Sequence, residues 1–410
     1  MAKPFVLIVG AGPSGVLLAI MLGKQGIPVK LLEMANELDD RPRAAHYAPV
    51  AVMELQRAGV FEDIKAAGGF FPDGVCWRKL HGDILTTLYS PKPEDVEHPL
   101  ICLPLNQLNG ILRKHLDQIP AVELLFNHKV TDLGQDENAA WVTVETPEGE
   151  KTFTADYIVG CDGANSLVRR KLFGDLNFPG FTWDEQIVAT NREFQIYYPF
   201  EKYGFTIDSS FIIHPEHWYM AARITTDGMW RVSYGELPGL SFEELKERQP
   251  MKFKTMLPGN PEPEDYRMVN FSPYKIHQRL AESMRVGRFL LAADAAHLCN
   301  PFGGLGLTGG IVDIGNLYDC LYGIYKGYAG DSILDLYNKV RREKYNDIIN
   351  PVSSENIRRL FDQDPDLALE EDEFLKMLKR GESDPSALKG LQAAAMALQY
   401  DFTKHYHNNP

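Results

Sequence analysis

A strand, a glycine-rich turn, a helix and a second strand follow one another near the start of this chain. Together they restrict its fold more than any other feature. Residues 6–9, Val-Leu-Ile-Val, predict a buried parallel strand because all four are aliphatic. The turn 10–15 follows at once and leads into an apolar helical stretch that ends near residue 24. A second strand, 29–32, ends at the acidic Glu33. This order is typical of the βαβ unit that begins a dinucleotide-binding domain.

The turn has glycines at the three positions where a bound pyrophosphate requires them. Gly10 allows the tight turn, Gly12 lets the backbone approach the phosphates, and Gly15 lets the helix pack closely on the strand. Pro13 and Ser14 begin the helix, whose N–H groups and positive dipole end point at the phosphates. The segment therefore predicts a site for an ADP-containing dinucleotide.

The acid at the end of the second strand narrows the choice of dinucleotide. The carboxylate of Glu33 is placed to accept hydrogen bonds from a ribose diol, and its charge would repel a 2′-phosphate. Met34 follows it and is predicted to lie at the same end of the ligand. At this point FAD and NAD are both possible.

Composition excludes several kinds of partner. The chain has 410 residues, of which 44% are hydrophobic, and its net charge of -14 argues against nucleic acid and anionic membranes. No apolar stretch reaches the roughly 20 residues of a membrane span. The five cysteines are widely spaced and include no CxxC pair, which predicts reduced thiols in a cytoplasmic protein and no metal cluster.

Changes in pattern along the chain predict four segments. Residues 1–180 form the first part of the dinucleotide-binding domain and include a β-meander. Residues 181–280 are rich in aromatic and β-branched side chains and predict a mixed or antiparallel sheet that binds substrate. Residues 281–350 return to the dinucleotide-binding domain, and 351–410 form a helical C-terminus. The fold class is thus α/β, Rossmann-like, with an inserted β-sheet domain.

Two later motifs place further polar groups at strand ends. Asp162 and Gly163 follow the apolar strand 157–160, and Asp294 ends the strand 289–293, where it can hold a ribityl hydroxyl. A glycine-rich run then bares consecutive N–H groups at the start of a helix, which suits an anion such as a reduced flavin ring. The cofactor contacts expected in this run are Pro301, Gly304, Gly306, Leu307 and Thr308.

Together the three motifs resemble those of the class A flavoprotein monooxygenases of the 4-hydroxybenzoate and phenol hydroxylase type, over residues 6 to about 345. The resemblance implies that the first motif binds the ADP moiety of FAD. It implies that Asp162 and Gly163 serve both FAD and a transiently bound NAD(P)H, and that Asp294 contacts the FAD ribose and ribityl region. The dinucleotide is then FAD, and the fold is the FAD-binding domain of the hydroxybenzoate hydroxylase type.

Some positions depart from the family pattern. The glycine that usually precedes the aspartate of the third motif is Ala293 here. Leu105 stands where the family often has Gln or Arg near the flavin, and Asn106 or Gln107 can take that part. Arg43 corresponds to a family arginine near FAD.

The resemblance also implies a reaction. NAD(P)H reduces FAD, O₂ adds at the flavin C4a atom, and the resulting hydroperoxide transfers oxygen to an electron-rich ring. We therefore expect hydroxylation of a small aromatic, phenolic substrate, by a monomer or homodimer. The candidate catalytic or substrate-contacting residues are His214, His217, Tyr47, Arg192, Arg223, Tyr234 and Pro301.

Each of these candidates can instead have a purely structural role. The two histidines can lie in a surface turn, the tyrosine at position 47 can be a core residue, and the arginines can pair with carboxylates.

Rival functions also exist. The same flavin chemistry can give Baeyer–Villiger oxidation, epoxidation or dearomatisation. Halogenation is less favoured because the W-x-W-x-I-P element is absent. A non-enzymatic binding protein like the GDP-dissociation inhibitors is disfavoured by the intact glycines, Glu33 and Asp294.

Overall fold

The computed structural model describes residues 3–39, 45–80, 82–189, 196–268 and 273–407. Its strands are β1 (Val6–Val9), β2 (Val29–Leu32), β3 (His46–Tyr47), β4 (Gly74–Lys79), β5 (Ile84–Tyr89), β6 (Ile101–Cys102), β7 (Val122–Leu125), β8 (Lys129–Gln135), β9 (Ala140–Thr146), β10 (Gly149–Ala155), β11 (Tyr157–Gly160), β12 (Gly180–Ala189), β13 (Ile196–Tyr197), β14 (Ser209–Ile213), β15 (Tyr219–Arg223), β16 (Met229–Glu236), β17 (Arg267–Met268), β18 (Pro273–Leu280), β19 (Arg285–Val286), β20 (Phe289–Leu291) and β21 (His297–Leu298).

The α-helices are α1 (Pro13–Lys24), α2 (Pro49–Arg57), α3 (Phe61–Ala66), α4 (Leu105–Leu116), α5 (Leu167–Phe173), α6 (Phe242–Met256), α7 (Leu305–Tyr325), α8 (Ile333–Lys344), α9 (Asn350–Phe361), α10 (Ala368–Glu371), α11 (Glu373–Gly381) and α12 (Lys389–Ala395). A π-helical turn, Tyr345–Ile349, joins α8 to α9.

A six-stranded sheet forms the centre of the dinucleotide-binding part, in the order β19-β20-β11-β1-β2-β7. β1 pairs in parallel with both β11 and β2, and its four aliphatic side chains are fully buried or nearly so. β7 joins this sheet beside β2. The meander itself is the three-stranded sheet β10-β9-β8. The Rossmann-like α/β prediction is confirmed.

The second large sheet is mixed and has the order β21-β18-β12-β16-β15-β14-β4-β5, with β13 and β17 beside β16. Only β14 and β4 pair in parallel among its described neighbours. The sheet extends beyond the predicted segment 181–280, because β4 and β5 come from residues 74–89 and β21 comes from 297–298. The chain therefore builds one substrate-side sheet from three separate stretches of sequence.

The two faces of this sheet pack against different layers. On its outer face, Trp230 and Tyr234 share a buried cluster with Phe253 of α6. On its inner face, Phe211 lies against Phe302, which precedes α7, with ring centroids 6.4 Å apart. Successive side chains of a strand point to opposite faces. A residue's position along β15 or β16 therefore decides whether it can reach the dinucleotide-binding domain.

The C-terminal segment closes over the dinucleotide-binding part. Gln399 donates a hydrogen bond to the buried carboxylate of Glu54 in α2, at 3.0 Å. Arg341 of α8 donates one to the backbone oxygen of Leu398, at 2.6 Å. Within the described ranges, no helix is long and apolar enough to span a bilayer.

Candidate active site

The turn after β1 has the geometry of a pyrophosphate cradle. A Cβ added to Gly10 (φ +99°) would lie 2.5 Å from the oxygen of Cys161 and one added to Gly15 would collide with the oxygen of Gly10. A Cβ on Gly12 would meet no protein atom within 4 Å. Two of the glycines are therefore required by the packing of the protein itself, whereas Gly12 borders open space where α1 begins.

The carboxylate at the end of β2 faces this turn. Glu33 accepts hydrogen bonds from the N–H groups of Ala11 and Ala35, at 2.8 and 2.9 Å. A carboxylate has about four acceptor positions, so Glu33 retains capacity for a ribose diol. Pro13 occupies the first turn of α1 and Ser14 is buried there.

Met34 follows Glu33 and is exposed, with 68% of its surface accessible. Its side chain is available to cover a bound adenosine group.

Asp162 follows β11 and begins the turn into α5. Its Oδ2 accepts hydrogen bonds from the N–H groups of Leu167 and Val168, at 2.7 and 3.2 Å. Its Oδ1 is buried with no hydrogen-bond partner among the described residues, and burial raises the pKa of the carboxyl. Gly163 adopts φ +76° and a Cβ there would enter open space. The Asp-Gly pair thus combines a fixed turn with an acceptor that lacks a protein donor.

The third motif shows how alanine replaces the usual glycine. Ala293 has φ +55°, a left-handed conformation that costs a non-glycine residue roughly 1–2 kcal/mol. Its N–H donates to Oδ2 of Asp313 at 2.9 Å, and the same oxygen contacts Nε2 of His297 at 2.7 Å. Arg341 holds the other oxygen of Asp313 at 2.6 Å. This buried network fixes the turn that presents the exposed Asp294.

The charges in that network support one another. Burial by itself raises the pKa of the Asp313 carboxyl, but His297 and Arg341 outweigh burial and hold it at about 2. Asp313 is therefore ionised at neutral pH. His297 acts here as a structural residue that supports the Asp294 turn.

The glycine-rich run becomes the N-terminus of α7. Gly304 has φ +64° and caps the helix without a side-chain hydrogen bond, so the N–H groups of its first turn, which includes Gly306 and Leu307, can receive an anion. Thr308 lies in the same turn, and its Oγ1 is buried with no hydrogen-bond partner among the described residues. Pro301 is half-buried in the preceding loop.

The first helical turn of α4 also carries a polar group without a partner. Oδ1 of Asn106 is buried with no hydrogen-bond partner among the described residues, whereas Gln107 is exposed. Asn106 thus fits a cofactor contact better than Gln107. Arg43 and Arg192 lie outside the described residues.

Two predicted substrate contacts, Tyr234 and Arg223, lie on the outer face of the large sheet. Tyr234 points to the outer face and packs edge-on against Phe253, with ring centroids 5.7 Å apart. Arg223 also lies on that side, over the ring of Trp230, and pairs with the carboxylates of Glu201 and Asp208. The period of a strand sends both side chains toward α6, and Arg223 takes the alternative role of pairing with carboxylates.

The two predicted histidines occupy the turn between β14 and β15. Nδ1 of His214 accepts hydrogen bonds from the N–H groups of Glu216 and His217, at 3.1 and 3.0 Å, so it serves to close that turn. His214 also lines a surface depression with residues 361–365. The structure places this pair in the turn that joins β14 to β15, which is the surface-turn alternative for these histidines.

Tyr47 lies fully buried in the core of the dinucleotide-binding part. Its hydroxyl has no hydrogen-bond partner among the described residues, and burial raises its pKa well above the ordinary value. A group with so high a pKa keeps its proton at neutral pH. Tyr47 can therefore donate a hydrogen bond but cannot serve as a base.

Sequence reasoning missed His46 and Arg231, which the fold brings near each other from β3 and β16. Burial of the imidazole lowers the pKa of His46, and the nearby charge of Arg231 lowers it further. Three small, buried side chains lie on the inner face beside Arg231: Ser209, Ala222 and Ser233. The available signal in the sequence was the charge of Arg231 between the apolar residues Trp230 and Val232. That signal does not reveal which face of the strand is inward.

Comparison with known proteins agrees with this geometry. Residues 4–350 match the family described as FAD binding domain, and the chain belongs to that family. It is an FAD-dependent aromatic monooxygenase. Para-nitrophenol 4-monooxygenase of Pseudomonas sp. (strain WBC-3) is 37% identical over 375 residues, which cover 90% of this chain and 91% of that protein.

Two further relatives extend the comparison. The 6-hydroxy-3-succinoylpyridine 3-monooxygenase of Pseudomonas putida (strain DSM 28022 / S16) is 36% identical over 88% of this chain and 90% of its own length. The crystal structure of p-nitrophenol 4-monooxygenase from Pseudomonas putida DLL-E4 superposes with a TM-score of 0.89 at 31% identity, covering 99% of both chains. The prediction of the hydroxylase family, and of FAD as its cofactor, is confirmed.

The residues present fit FAD. The open space at Gly12, the acceptor capacity of Glu33 and the unpartnered Oδ1 of Asp162 suit the two phosphates and the ribose. The first turn of α7 suits the anionic side of the flavin ring. When bound, FAD supplies the activation of O₂ for transfer to the substrate.

Proposed function

We propose that this enzyme uses NAD(P)H and O₂ to hydroxylate a small phenol or hydroxypyridine at the ring carbon opposite the hydroxyl group. The names of two relatives support this position. One acts at carbon 4 of para-nitrophenol, and the other acts at carbon 3 of a pyridine whose hydroxyl is at carbon 6. In both compounds the carbon that is oxygenated lies para to the hydroxyl and carries a substituent.

The inner face of the large sheet carries the proposal. Ser209, Ala222 and Ser233 occupy adjoining strands there, and their small side chains define the space over the sheet in which we place a planar ring. Phe211 and Phe302 border that space on one side, and Arg231 borders it on another. A slot of small side chains and two phenylalanines, with a cation at one end, would suit an aromatic ring whose oxygen carries negative charge.

Polar and buried groups of the chain would favour the charged form of the substrate and exclude water. A phenolate donates electrons to its para carbon, so a positive residue near the oxygen favours the reactive form of the substrate. The buried surroundings exclude water from the oxygen transfer. Asp162 and Gly163 remain proposed contacts for the transient NAD(P)H.

The test is substrate-stimulated oxidation of NADH and NADPH by the FAD-loaded enzyme with 4-nitrophenol. Oxygen transfer to carbon 4 expels nitrite and leaves the quinone, with one NAD(P)H and one O₂ consumed. We expect nitrite in proportion to the NAD(P)H oxidised. The isomers 2-nitrophenol and 3-nitrophenol serve as matched controls, since neither carries the nitro group opposite the hydroxyl.

Two results would contradict the proposal. One is NAD(P)H oxidation that no phenol or hydroxypyridine stimulates. The other is incorporation of oxygen into a ketone or alkene, which would favour the Baeyer–Villiger or epoxidation alternatives.

We further propose a cytoplasmic enzyme that acts as a monomer or homodimer. All five cysteines lie in the described part of the chain, and none forms a disulfide. Reduced thiols and a supply of NAD(P)H are both typical of the cytoplasm. Gel filtration with light scattering on the FAD-loaded enzyme measures its oligomeric state.

A further inference from the structure

We propose that His46 accepts the proton of the substrate's phenolic hydroxyl and that Arg231 pairs with the oxygen anion so formed. This inference rests on the function proposed above and assigns its proton acceptor. Neither residue follows from the three cofactor motifs. They come together only because the strand pair β3 and β6 lies against the large sheet.

The orientation of His46 follows from its strand pairing. His46 lies opposite Cys102 in the antiparallel pair of β3 and β6, so their side chains share one face. The thiol of Cys102 contacts the backbone oxygens of Arg223 and Ile224, at 3.7 and 3.5 Å. That face is therefore directed at the large sheet. Tyr47, the next residue, points the other way into the core.

The imidazole has an atom available for a ligand. Nε2 of His46 is buried and has no hydrogen-bond partner among the described residues. A buried polar atom left without a partner destabilises the folded protein. A phenol hydroxyl in the slot beside Ser209, Ala222 and Ser233 would satisfy it.

Arg231 reaches the same place from β16. It lies opposite Ala222 on β15, and its neighbour Trp230 packs on the outer face, so Arg231 points inward. It acts electrostatically on His46, Tyr47 and Cys102. These effects place its charge at the junction of the two domains.

Burial, followed by the charge of Arg231, lowers the pKa of His46 to about 4, so the imidazole is neutral at neutral pH. The other titratable neighbours do not supply a competing base. Tyr47 and Cys102 both have raised pKa values and stay protonated. Asp208 exchanges hydrogen bonds with Asp73 and pairs with Arg223.

The proton transfer is balanced within the site. The O–H bond of the phenol breaks, a bond forms between that hydrogen and Nε2 of His46, and the electron pair stays on oxygen. The new anion lies between the imidazolium and the guanidinium of Arg231. It offsets the repulsion between these two cations, so the bound phenolate raises the proton affinity of His46.

The test is binding of 4-nitrophenol to the FAD-loaded enzyme, followed by difference absorbance, because the phenol and its phenolate have distinct spectra. At a pH below the pKa of the free compound, we expect the wild type to bind it as the phenolate. We expect His46→Phe to bind it about 10- to 100-fold more weakly and without the phenolate spectrum. His46→Gln keeps a hydrogen-bond acceptor, so affinity should return to within a few fold while the bound compound stays a phenol.

Activity provides a second readout. General-base catalysis contributes about 10²–10⁴-fold, so His46→Gln should lose at least about 100-fold in kcat/KM for 4-nitrophenol at a pH where the free compound is protonated. The loss should shrink as the pH rises and the free compound ionises by itself. A residue with only a structural role would lower the rate equally at every pH.

Matched controls separate the possible failures. His115→Phe removes a histidine that pairs with Asp63 at the surface, at 2.7 Å, and should behave as wild type. FAD content and the melting temperature show whether each variant folds, and His46→Gln carries the test if His46→Phe does not. The ether 4-nitroanisole has no proton to give, so substitution at position 46 should change its affinity less than that of 4-nitrophenol.

Equal phenolate binding and an unchanged pH profile in the His46→Gln variant would overturn the assignment of His46. If the wild type itself neither binds nor oxidises any phenol, the proposed function fails and the assignment fails with it.

Discussion

Replacing Gly12 with alanine should weaken FAD binding strongly while leaving the apo fold intact. The backbone of Gly12 has φ -67° and ψ 176°, which alanine adopts without strain, and an added Cβ meets no protein atom within 4 Å. Alanine is a poorer helix N-cap than glycine, by about 1 kcal/mol or less. The apo protein should therefore lose no more than about 2 °C in melting temperature.

The effect on FAD should be much larger. The Cβ enters the space beside the N-terminus of α1, where the pyrophosphate would lie against backbone N–H groups. Loss of one or two charge-assisted hydrogen bonds, each contributing about 1.5–3 kcal/mol, weakens binding on the order of 100-fold. At an FAD concentration of about 100 times the wild-type Kd, ligand stabilisation should fall from about 2.7 to about 0.4 kcal/mol.

The assay is a pair of thermal melts, with and without FAD, together with a fluorescence titration of FAD into the apo protein. Gly15→Ala is the matched control, because its Cβ would collide with the oxygen of Gly10. That variant should destabilise the apo protein by about 1–3 kcal/mol. Wild-type FAD affinity in Gly12→Ala, or an apo form as unstable as that of Gly15→Ala, would refute this account of the turn.

Three further predictions concern buried groups. Burial is the main cause that raises the pKa of Glu54 to about 7, against 4.5 in the unfolded chain. Because the folded state binds this proton more tightly, the free energy of unfolding should fall as the pH rises from 4.5 to 7, by on the order of 3 kcal/mol. Urea unfolding from pH 5 to 8 should show this slope for the wild type and not for Glu54→Gln. Asp313→Asn leaves Arg341 and His297 without their shared carboxylate and should cost about 3–5 kcal/mol in urea unfolding at pH 7, a result that an unchanged midpoint would exclude. Tyr234→Phe should keep kcat and KM within about twofold, because the hydroxyl lies on the outer face; a tenfold loss of kcat would contradict that placement.

The Asp313 network also explains how the third motif accommodates its departure from the family pattern. The backbone at position 293 is left-handed, a conformation that favours the glycine usually found there, and Ala293 adopts it. Its N–H is anchored by the carboxylate of Asp313, which the buried side chains of His297 and Arg341 hold in place. A strained turn persists when the surrounding structure over-determines it.

The cofactor-binding part of the site could be predicted from the sequence because its residues lie in short, continuous motifs. The turn from Gly10 to Gly15, the acid at Glu33 and the pair Asp162-Gly163 each sit at the end of a buried strand. Carboxyl ends of parallel strands meet along one edge of a sheet. Spacing within some thirty residues therefore sufficed to predict the ligand class, and the fold of the dinucleotide-binding part followed.

The substrate half depended on contacts between distant segments. If the pairing register of β16 shifted by one residue, Tyr234 would point to the opposite face of the sheet. The sequence pattern does not say which face is inward. The pairing of β3 with β6 places His46 against the large sheet, across the junction of two domains. Local motifs, together with the family that they resemble, thus predicted the cofactor and the fold class. Which side chains meet over the inner face was decided by tertiary packing, because strand register and domain docking are non-local.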